Sequence, residues 1–426
     1  MPLTTLLSRL RVGPAVTILS LPLLVFSTTA AATLGPFEHG SGIIAQGLGG
    51  VAYSMAEEAG ALAANPAHAS GLGARYDIGL HTFFPKAIAG FEGTTDDRST
   101  RNDGRRTFFI PQGGMIWKLP GKWSAGFAST AAGLGPDYKQ SPYERFGGAR
   151  RSYLFFSSAT LNTALGYALT PTQSLGIGVN LGYQKLKAGG LEFLDNPQSS
   201  VAPGHVTDRG NDGAFSIGFS LGWTGELIPG LRGGLGYRSR NWTQKHEKYR
   251  GLLPQGGRLT LPAIYGGGLS WQVHPQWTFG ADYQRFDYHS GGRTFENGIG
   301  QLFNEGQRFG ADDGPGFGLN NQSVYKFGAS YRASPTLTLR AGYIGGTQII
   351  RSSDTLLAQF GTFTTNTHYT LGFTKVWQAW EISAMGYDTP RQTVRGRNSL
   401  GPLGPGEASA SFAVRGFGIS VGRRLP

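Results

Sequence analysis

The chain has 426 residues, 68 of them glycine, with no cysteine and a formal net charge of +12. Glycine at about 16% is roughly twice the usual ~7%, but it has no G-X-Y period, so collagen is excluded. An aromatic content of 12% excludes a disordered chain, and the lack of cysteine removes any disulfide framework or thiolate metal site. The pI near 9.8 comes from scattered basic residues with no extended Lys/Arg run. That pattern argues against a nucleic-acid partner and for solvated or lumen-lining charge.

In chain order, residues 1–32 read as a secretory signal. Arg9 and Arg11 form a basic region, Ala15 to Phe26 an apolar stretch, and Ala30-Ala31-Ala32 an A-x-A cleavage site. The apolar stretch is too short to span a membrane as a helix, which needs ~20 residues. Residues 33–73 form the next unit. There Ser54 with Glu57 three residues on predicts the start of a short alanine-rich helix, and Asn65-Pro66 ends it, because the residue before proline avoids the α region. Such a piece ahead of a barrel is placed to fold into its lumen as a plug.

Residues 74–426 alternate with period two. Leu175, Ile177, Val179, Leu181 and Tyr183 oppose Gly176, Gly178, Asn180 and Gly182, and Phe215 to Trp223 repeat the pattern. Strands are predicted over 75–92, 105–119, 123–133, 153–170, 174–188, 214–228, 231–250, 258–273, 277–288, 322–333, 337–350, 362–376, 377–388 and 410–422. Pro120-Gly121, Pro171 to Gln173, Pro229-Gly230, His274 to Gln276, Ser334 to Thr336 and Trp377-Gln378 join them in pairs. Between pairs the connections are mostly long, polar and rich in glycine. Short turns at one end, long loops at the other and an even strand number describe an antiparallel outer-membrane β-barrel of about fourteen strands. Trp117, Trp123, Trp223, Trp271, Trp277, Trp377 and Trp380 lie near the short turns, where a periplasmic aromatic girdle sits. The apolar parity switches between Val414 and Phe417, which predicts a β-bulge.

With the barrel in hand, several motifs become informative. Gly47-Leu48-Gly49-Gly50-Val51-Ala52 followed by Asn65-Pro66-Ala67 resembles the N-terminal hatch signature of the FadL family, outer-membrane transporters of long-chain fatty acids and aromatic hydrocarbons. Tyr237-Arg238-Ser239, Leu261-Pro262 and Leu339-Arg340-Ala341-Gly342-Tyr343 resemble later motifs of that family, in order. The resemblance implies a fourteen-stranded barrel, a hatch in its lumen, and passive inward movement of hydrophobic compounds. It also implies a kinked third strand through which substrate leaves sideways, which Gly133 and Gly135 would mark here. One departure is the C-terminus, Arg423-Arg424-Leu425-Pro426, where barrels usually end on an aromatic residue.

Chemistry is sparse in the sequence. The histidines show no H-E-x-x-H or i, i+4 metal pair, no G-x-S-x-G elbow is present, and no cofactor is expected. Asp96-Asp97 and Asp312-Asp313 read as solvated loop charge. Arg232, Arg238 and Arg240, inward-facing by parity, are the candidate substrate contacts, since guanidinium matches a carboxylate with two parallel hydrogen bonds. Pairing with Glu57 or Glu58 of the plug is the competing role for them. The expected partners are a hydrophobic small molecule, outer-membrane lipid and lipopolysaccharide, and the barrel-assembly machinery, with the chain a monomer. The alternative is a barrel that does not transport, either a lipolytic enzyme or an adhesin displaying its long loops.

Overall fold

The computed structural model describes residues 34–104, 107–361 and 363–426; the signal peptide expected over 1–32 lies outside them. Fourteen long antiparallel strands run in sequence around a closed wall. They are β1 (Arg75–Glu92), β2 (Phe108–Lys118), β3 (Trp123–Leu134), β4 (Ser152–Ala168), β5 (Gln173–Gly189), β6 (Asp212–Ile228) and β7 (Leu231–Arg238). The second half comprises β8 (Ala263–His274), β9 (Trp277–Asp287), β10 (Gln322–Ser334), β11 (Leu337–Gly346), β12 (Thr367–Trp377), β13 (Trp380–Arg395) and β14 (Glu407–Arg424). β14 returns to β1 in unbroken register, from Arg75 opposite Arg424 to Glu92 opposite Glu407. The predicted strand order and the turn asymmetry are both present.

The lower half of the wall is apolar outside. Ile78, Leu80, Leu175, Ile177, Phe219, Leu221, Leu371, Phe417 and Ile419 are exposed large hydrophobics on outward positions. At the short-turn end, Trp123 packs on Tyr167, Trp277 on Tyr331 and Trp380 on Tyr76, forming the expected girdle. Higher up, the apolar residues change face. Phe83, Phe91, Phe156, Leu186, Phe412 and Val414 point inward and are buried. This crossing explains the parity switch near Val414 without a bulge, because β14 pairs with β1 residue for residue through that stretch. The register shift in this part of the wall lies on the neighbouring strand, between Thr389 and Gln392 of β13.

Two other expectations change. The seventh strand ends at Arg238. The chain leaves the ladder at Ser239 to Asn241 and rejoins β6 only at Trp242–Thr243. No helix starts at Ser54. The first 40 described residues instead form α1 (Ile43–Gly47), a 3-10 turn (Ala59–Ala63) and α2 (His68–Gly71). Asp77, from outside the segment, takes the Ala59 N–H at 2.7 Å that a helix capped at Ser54 would give to Met55 O, and Asp282 fixes the approach by accepting Ala52 N–H at 2.7 Å and Tyr53 N–H at 3.0 Å.

This segment fills the lower lumen, and inward glycines make room for it. A Cβ on Gly234 would lie 1.9 Å from Tyr53 O, one on Gly222 2.0 Å from Asn65 Oδ1, and one on Gly342 2.1 Å from Gly49 N. The glycine excess on the polar face is thus a packing requirement. At the far end the long loops fold over the barrel mouth around their own core, with Tyr143, Tyr249, Phe295, Phe309, Leu356 and Phe360 buried in it.

Heating should shift the purified barrel to slower migration in SDS, as a closed wall resists the detergent until heated. Gly234→Ala and Gly222→Ala should preserve that shift yet expel the segment, since overpacking costs about 1–3 kcal/mol. Limited proteolysis of residues 43–63 measures it, and full protection in both variants would refute the packing argument.

Candidate functional site

The lumen has two chemically different compartments. Under the loop cap, Leu134, Phe156, Leu186, Leu253, Phe309 and Phe360 line a cavity of about 50 Å³ with no charged side chain in its wall. Below the N-terminal segment, Glu57, Glu226, Arg232, Gln272, Arg332 and Arg424 line a polar vestibule of about 530 Å³ open toward the short-turn end. Between them the segment is held by wall side chains of both signs. Lys326 Nζ donates to Gly50 O at 3.2 Å, and Arg340 pairs with Glu57. Thr370 Oγ1 accepts Gly49 N–H and donates to Gly47 O, both at 3.0 Å.

The Asn65-Pro66-Ala67 motif joins parts of the segment to the wall. Asn65 Nδ2 donates to Tyr53 O at 2.8 Å and to Trp223 O of β6 at 2.9 Å, and its Oδ1 accepts Ala67 N–H at 3.1 Å. Pro66 and Ala67 lie against β5, where a Cβ at Gly176 would meet Ala67 N at 2.2 Å. One amide therefore fastens two stretches of the segment to each other and to the wall.

The three candidate arginines separate. Arg232 faces the polar vestibule. Arg238 faces a second cavity beside the segment, with Tyr53, Gln284, Phe286 and Lys326, and sits 5.7 Å over the Phe37 ring. Arg240 does not face the lumen. The break at Ser239 to Asn241 ends the strand parity, and Arg240 is exposed, stacked 5.7 Å over Trp242. The ion pair to Glu57 comes from Arg340 instead, and Glu58 turns inward to accept Ile44 and Ala45 N–H at 2.6 and 2.9 Å. Sequence reading missed Asp77, Asp282, Lys326 and Arg340. Their signal was a charge at an inward position among apolar, small or glycine residues, isolated for Asp282 and Arg340 and two residues from Arg75 for Asp77.

Among the described residues, the wall also opens between β2 and β3. β2 pairs with β3 only from Gly114 opposite Ala128 to Lys118 opposite Ser124. Above that, among the described residues, the strand partner of Ser129–Leu134 of β3 is β4, and that of Ile110–Gly113 of β2 is β1. Ser129 Oγ bridges the fork, accepting Gly113 N–H at 2.9 Å and donating to Gly113 O at 3.2 Å. Higher on the free edge, Gly133 N–H donates to Pro36 O at 2.7 Å and Phe37 forms an antiparallel bridge with Ala132. Behind the fork lies an apolar cluster of Ile43, Phe83, Phe108, Ile110, Met385 and Phe412.

Three buried groups of the segment, Glu58, His39 and His68, shift with docking, and they do so in opposite directions. Burial, then the Asp77 carboxylate, pushes Glu58 from 4.5 up to about 8, so the docked segment keeps a proton that the free carboxyl loses. Docking therefore weakens as pH rises from 4.5 through 8. Burial lowers His68 from 6.5 to about 4, so its contribution is complete above 6.5 and is lost as pH falls through 4. Burial lowers His39 in the same direction as His68, so the two rising contributions outweigh the loss at Glu58 up to 6.5, and protection of residues 43–63 from protease should be greatest near pH 6.5. Glu58→Gln keeps an acceptor for Ile44 and Ala45 and should abolish the alkaline loss; persistence of that loss would remove Glu58 from the account. Asn65→Ala strands buried carbonyls at about 1–3 kcal/mol each, and should raise hydrogen exchange of the segment while the barrel still assembles.

Comparison with known proteins agrees with this architecture. The family model described as outer membrane protein transport protein (OMPP1/FadL/TodX) matches residues 23–355. The Pseudomonas putida toluene transporter TodX superposes with a TM-score of 0.65 at 17% identity, covering 91% of this chain and 99% of its own. The Ralstonia pickettii toluene transporter TbuX gives 0.65, 17%, 91% and 99%, and a Pseudomonas aeruginosa FadL homologue gives 0.66, 14%, 92% and 100%. No curated protein matches the chain by sequence. Members of the family are transport channels and not enzymes, and the barrel resides in the outer membrane of a Gram-negative cell. A closed fourteen-stranded wall together with a family match over most of its length makes the chain a member of the FadL/TodX family of outer-membrane transport proteins.

Proposed function

We propose that the protein is a passive uptake channel for neutral hydrophobic compounds, in which the N-terminal segment acts as a hatch and substrate leaves sideways through the fork between β2 and β3. The observation that carries this reading is the contrast between compartments. An apolar solute is favoured under the loop cap, where each buried CH₂ contributes about 0.8 kcal/mol. It gains nothing in the vestibule below, where arginine and carboxylate side chains hold water. The apolar residues behind the fork, among them Phe108 and Ile110, offer a route of matching polarity to the bilayer. Pro36 and Phe37 stand in that route, bonded to the free edge of β3.

Movement of residues 36–37 then opens the exit, and no nucleotide is needed because partition into lipid drives the flow. Paired residues of an antiparallel bridge lie about 4.5–5.5 Å apart at Cα, within disulfide range, and the chain has no cysteine of its own. Phe37→Cys/Ala132→Cys should therefore form a bridge on oxidation that stops toluene uptake, with recovery on reduction. Uptake indifferent to that lock would place the exit elsewhere.

A fatty-acid substrate has one observation in its favour: Arg238 and Lys326 both line the cavity next to the hatch. A charge-assisted hydrogen bond contributes roughly 1.5–3 kcal/mol, so Arg238→Gln should weaken fatty-acid binding about tenfold or more if a carboxylate sits there. Toluene binding should be nearly unchanged. Equal small effects on both ligands would leave Arg238 as a packing partner of Phe37.

A further inference from the structure

Outside the transport path, the lipid-facing wall carries a compact basic patch across the closing seam of the barrel. It spans β13, β14, β1 and the short strand Ser99–Arg101. Lys86 lies opposite Ala413, which is flanked on its other side by the register shift that holds Arg391. Arg101 lies opposite Ile88, two positions above Lys86 and on the same outward face. Arg415 and Arg395 complete the set. They pair with Asp388 and Glu92, whereas Lys86, Arg101 and Arg391 have no carboxylate partner among the described residues. All five are exposed. Ser411 and Thr393, joined at 2.9 Å, lie beside Arg391, and Arg391 Nη1 donates to Ser411 Oγ at 3.3 Å.

The height of the patch follows from strand geometry. Tyr76 marks the lower girdle through its contact with Trp380, and Lys86 is ten residues further along β1. At ~3.3 Å per residue and a tilt near ~40°, that climb is about 25 Å, the height of the apolar band of such barrels. Directly beneath Lys86, Phe84 stacks on Phe417 with ring centroids 6.1 Å apart, and both rings are exposed to the lipid side. The wall therefore presents unpaired cations where the outer-leaflet headgroups lie and an aromatic surface where their acyl chains lie.

We propose that Lys86, Arg101 and Arg391 bind the phosphates of a phosphorylated outer-leaflet glycolipid, the lipid A of lipopolysaccharide, with its acyl chains against Phe84, Phe417 and Ile419. Arginine grips phosphate through two parallel hydrogen bonds and lysine acts as a point charge. The extra residue of β13 turns Arg391 to the same face as Lys86. Fixing one lipid across the β14–β1 closure would fasten the two ends of the chain's barrel to the leaflet that surrounds them.

The test uses the full barrel in detergent with EDTA present, so that divalent cations do not bridge lipids. Native mass spectrometry is used to count bisphosphorylated lipid A, dephosphorylated lipid A and phosphatidylethanolamine bound per barrel. The wild type should retain the bisphosphorylated form at least tenfold better than the dephosphorylated one. Lys86→Gln/Arg101→Gln/Arg391→Gln should lose that preference while still showing heat-dependent migration. Lys185→Gln/Lys187→Gln, at similar height on β5, should keep it. Equal retention of both lipid A forms by the wild type overturns the proposal, and so does equal loss in the β5 variant, which would reduce the patch to one part of a general basic rim.

Discussion

An unpaired strand edge is what a membrane barrel must avoid, because lipid offers no partner for exposed N–H and C=O groups. β3 breaks this rule over Ser129–Leu134, and the protein answers it from within. Ser129 folds its hydroxyl onto Gly113, and Pro36 and Phe37 occupy the edge at Ala132 and Gly133. The N-terminal segment is therefore part of the wall as well as a filling for the lumen. Everything that positions residues 36–37 acts on the fork: the carboxylates of Asp77 and Asp282, the Lys326 ammonium and the Asn65 amide.

The second organising feature is the exchange of apolar faces along each strand. Low on the wall the outer face is apolar and the inner face polar or glycine; high on the wall the inner face is apolar and meets the loop core. On β5, Leu175 to Leu181 face outward, while Leu186 and Ala188 face inward. A strand that did not exchange would leave either an apolar collar in water or a polar chamber over the segment. The exchange places the greasiest part of the lumen level with the fork, which is why the fork and not the vestibule matches an apolar solute.

Strand count, order and turn asymmetry were legible in the sequence because alternation is local and every strand carries its own copy of it. The failures occurred where the deciding partner is distant in sequence. The helix expected at Ser54 is absent where Glu58 is extended and Ala59, whose N–H would bond Met55 O in that helix, gives it to Asp77, and no window around Ser54 contains that residue. Arg240 was placed inward by extrapolating parity through Ser239 to Asn241, where the ladder stops. The apolar switch near Val414 looked like a bulge because one strand alone cannot tell a shift of register from a change of surroundings. Asn65 was legible, since asparagine before proline at a chain reversal has few roles other than bonding backbone.

The base of the seam joins barrel closure to segment docking through shared charges. Arg75 donates to Asp77 at 2.7 and 2.9 Å and to Glu381 of β13 at 2.8 Å, and Arg424 of β14 donates to the other oxygen of Glu381 at 2.8 Å. Asp77 Oδ2 also accepts Ala59 N–H of the segment. Asp77 is buried, so without Arg75 it would be an uncompensated charge, a cost of several kcal/mol. Arg75 in turn is fixed by Glu381, which β13 carries beside β14 and which reaches Arg75 of β1 only once the wall has closed. The carboxylate that holds the segment is thus properly balanced only in the closed barrel. Arg423 stacks 5.0 Å over Trp380 of β13 and Leu425 N–H donates to Ala74 O beside β1, so charge and backbone contacts fasten β14 to both of its neighbours at the base of the seam.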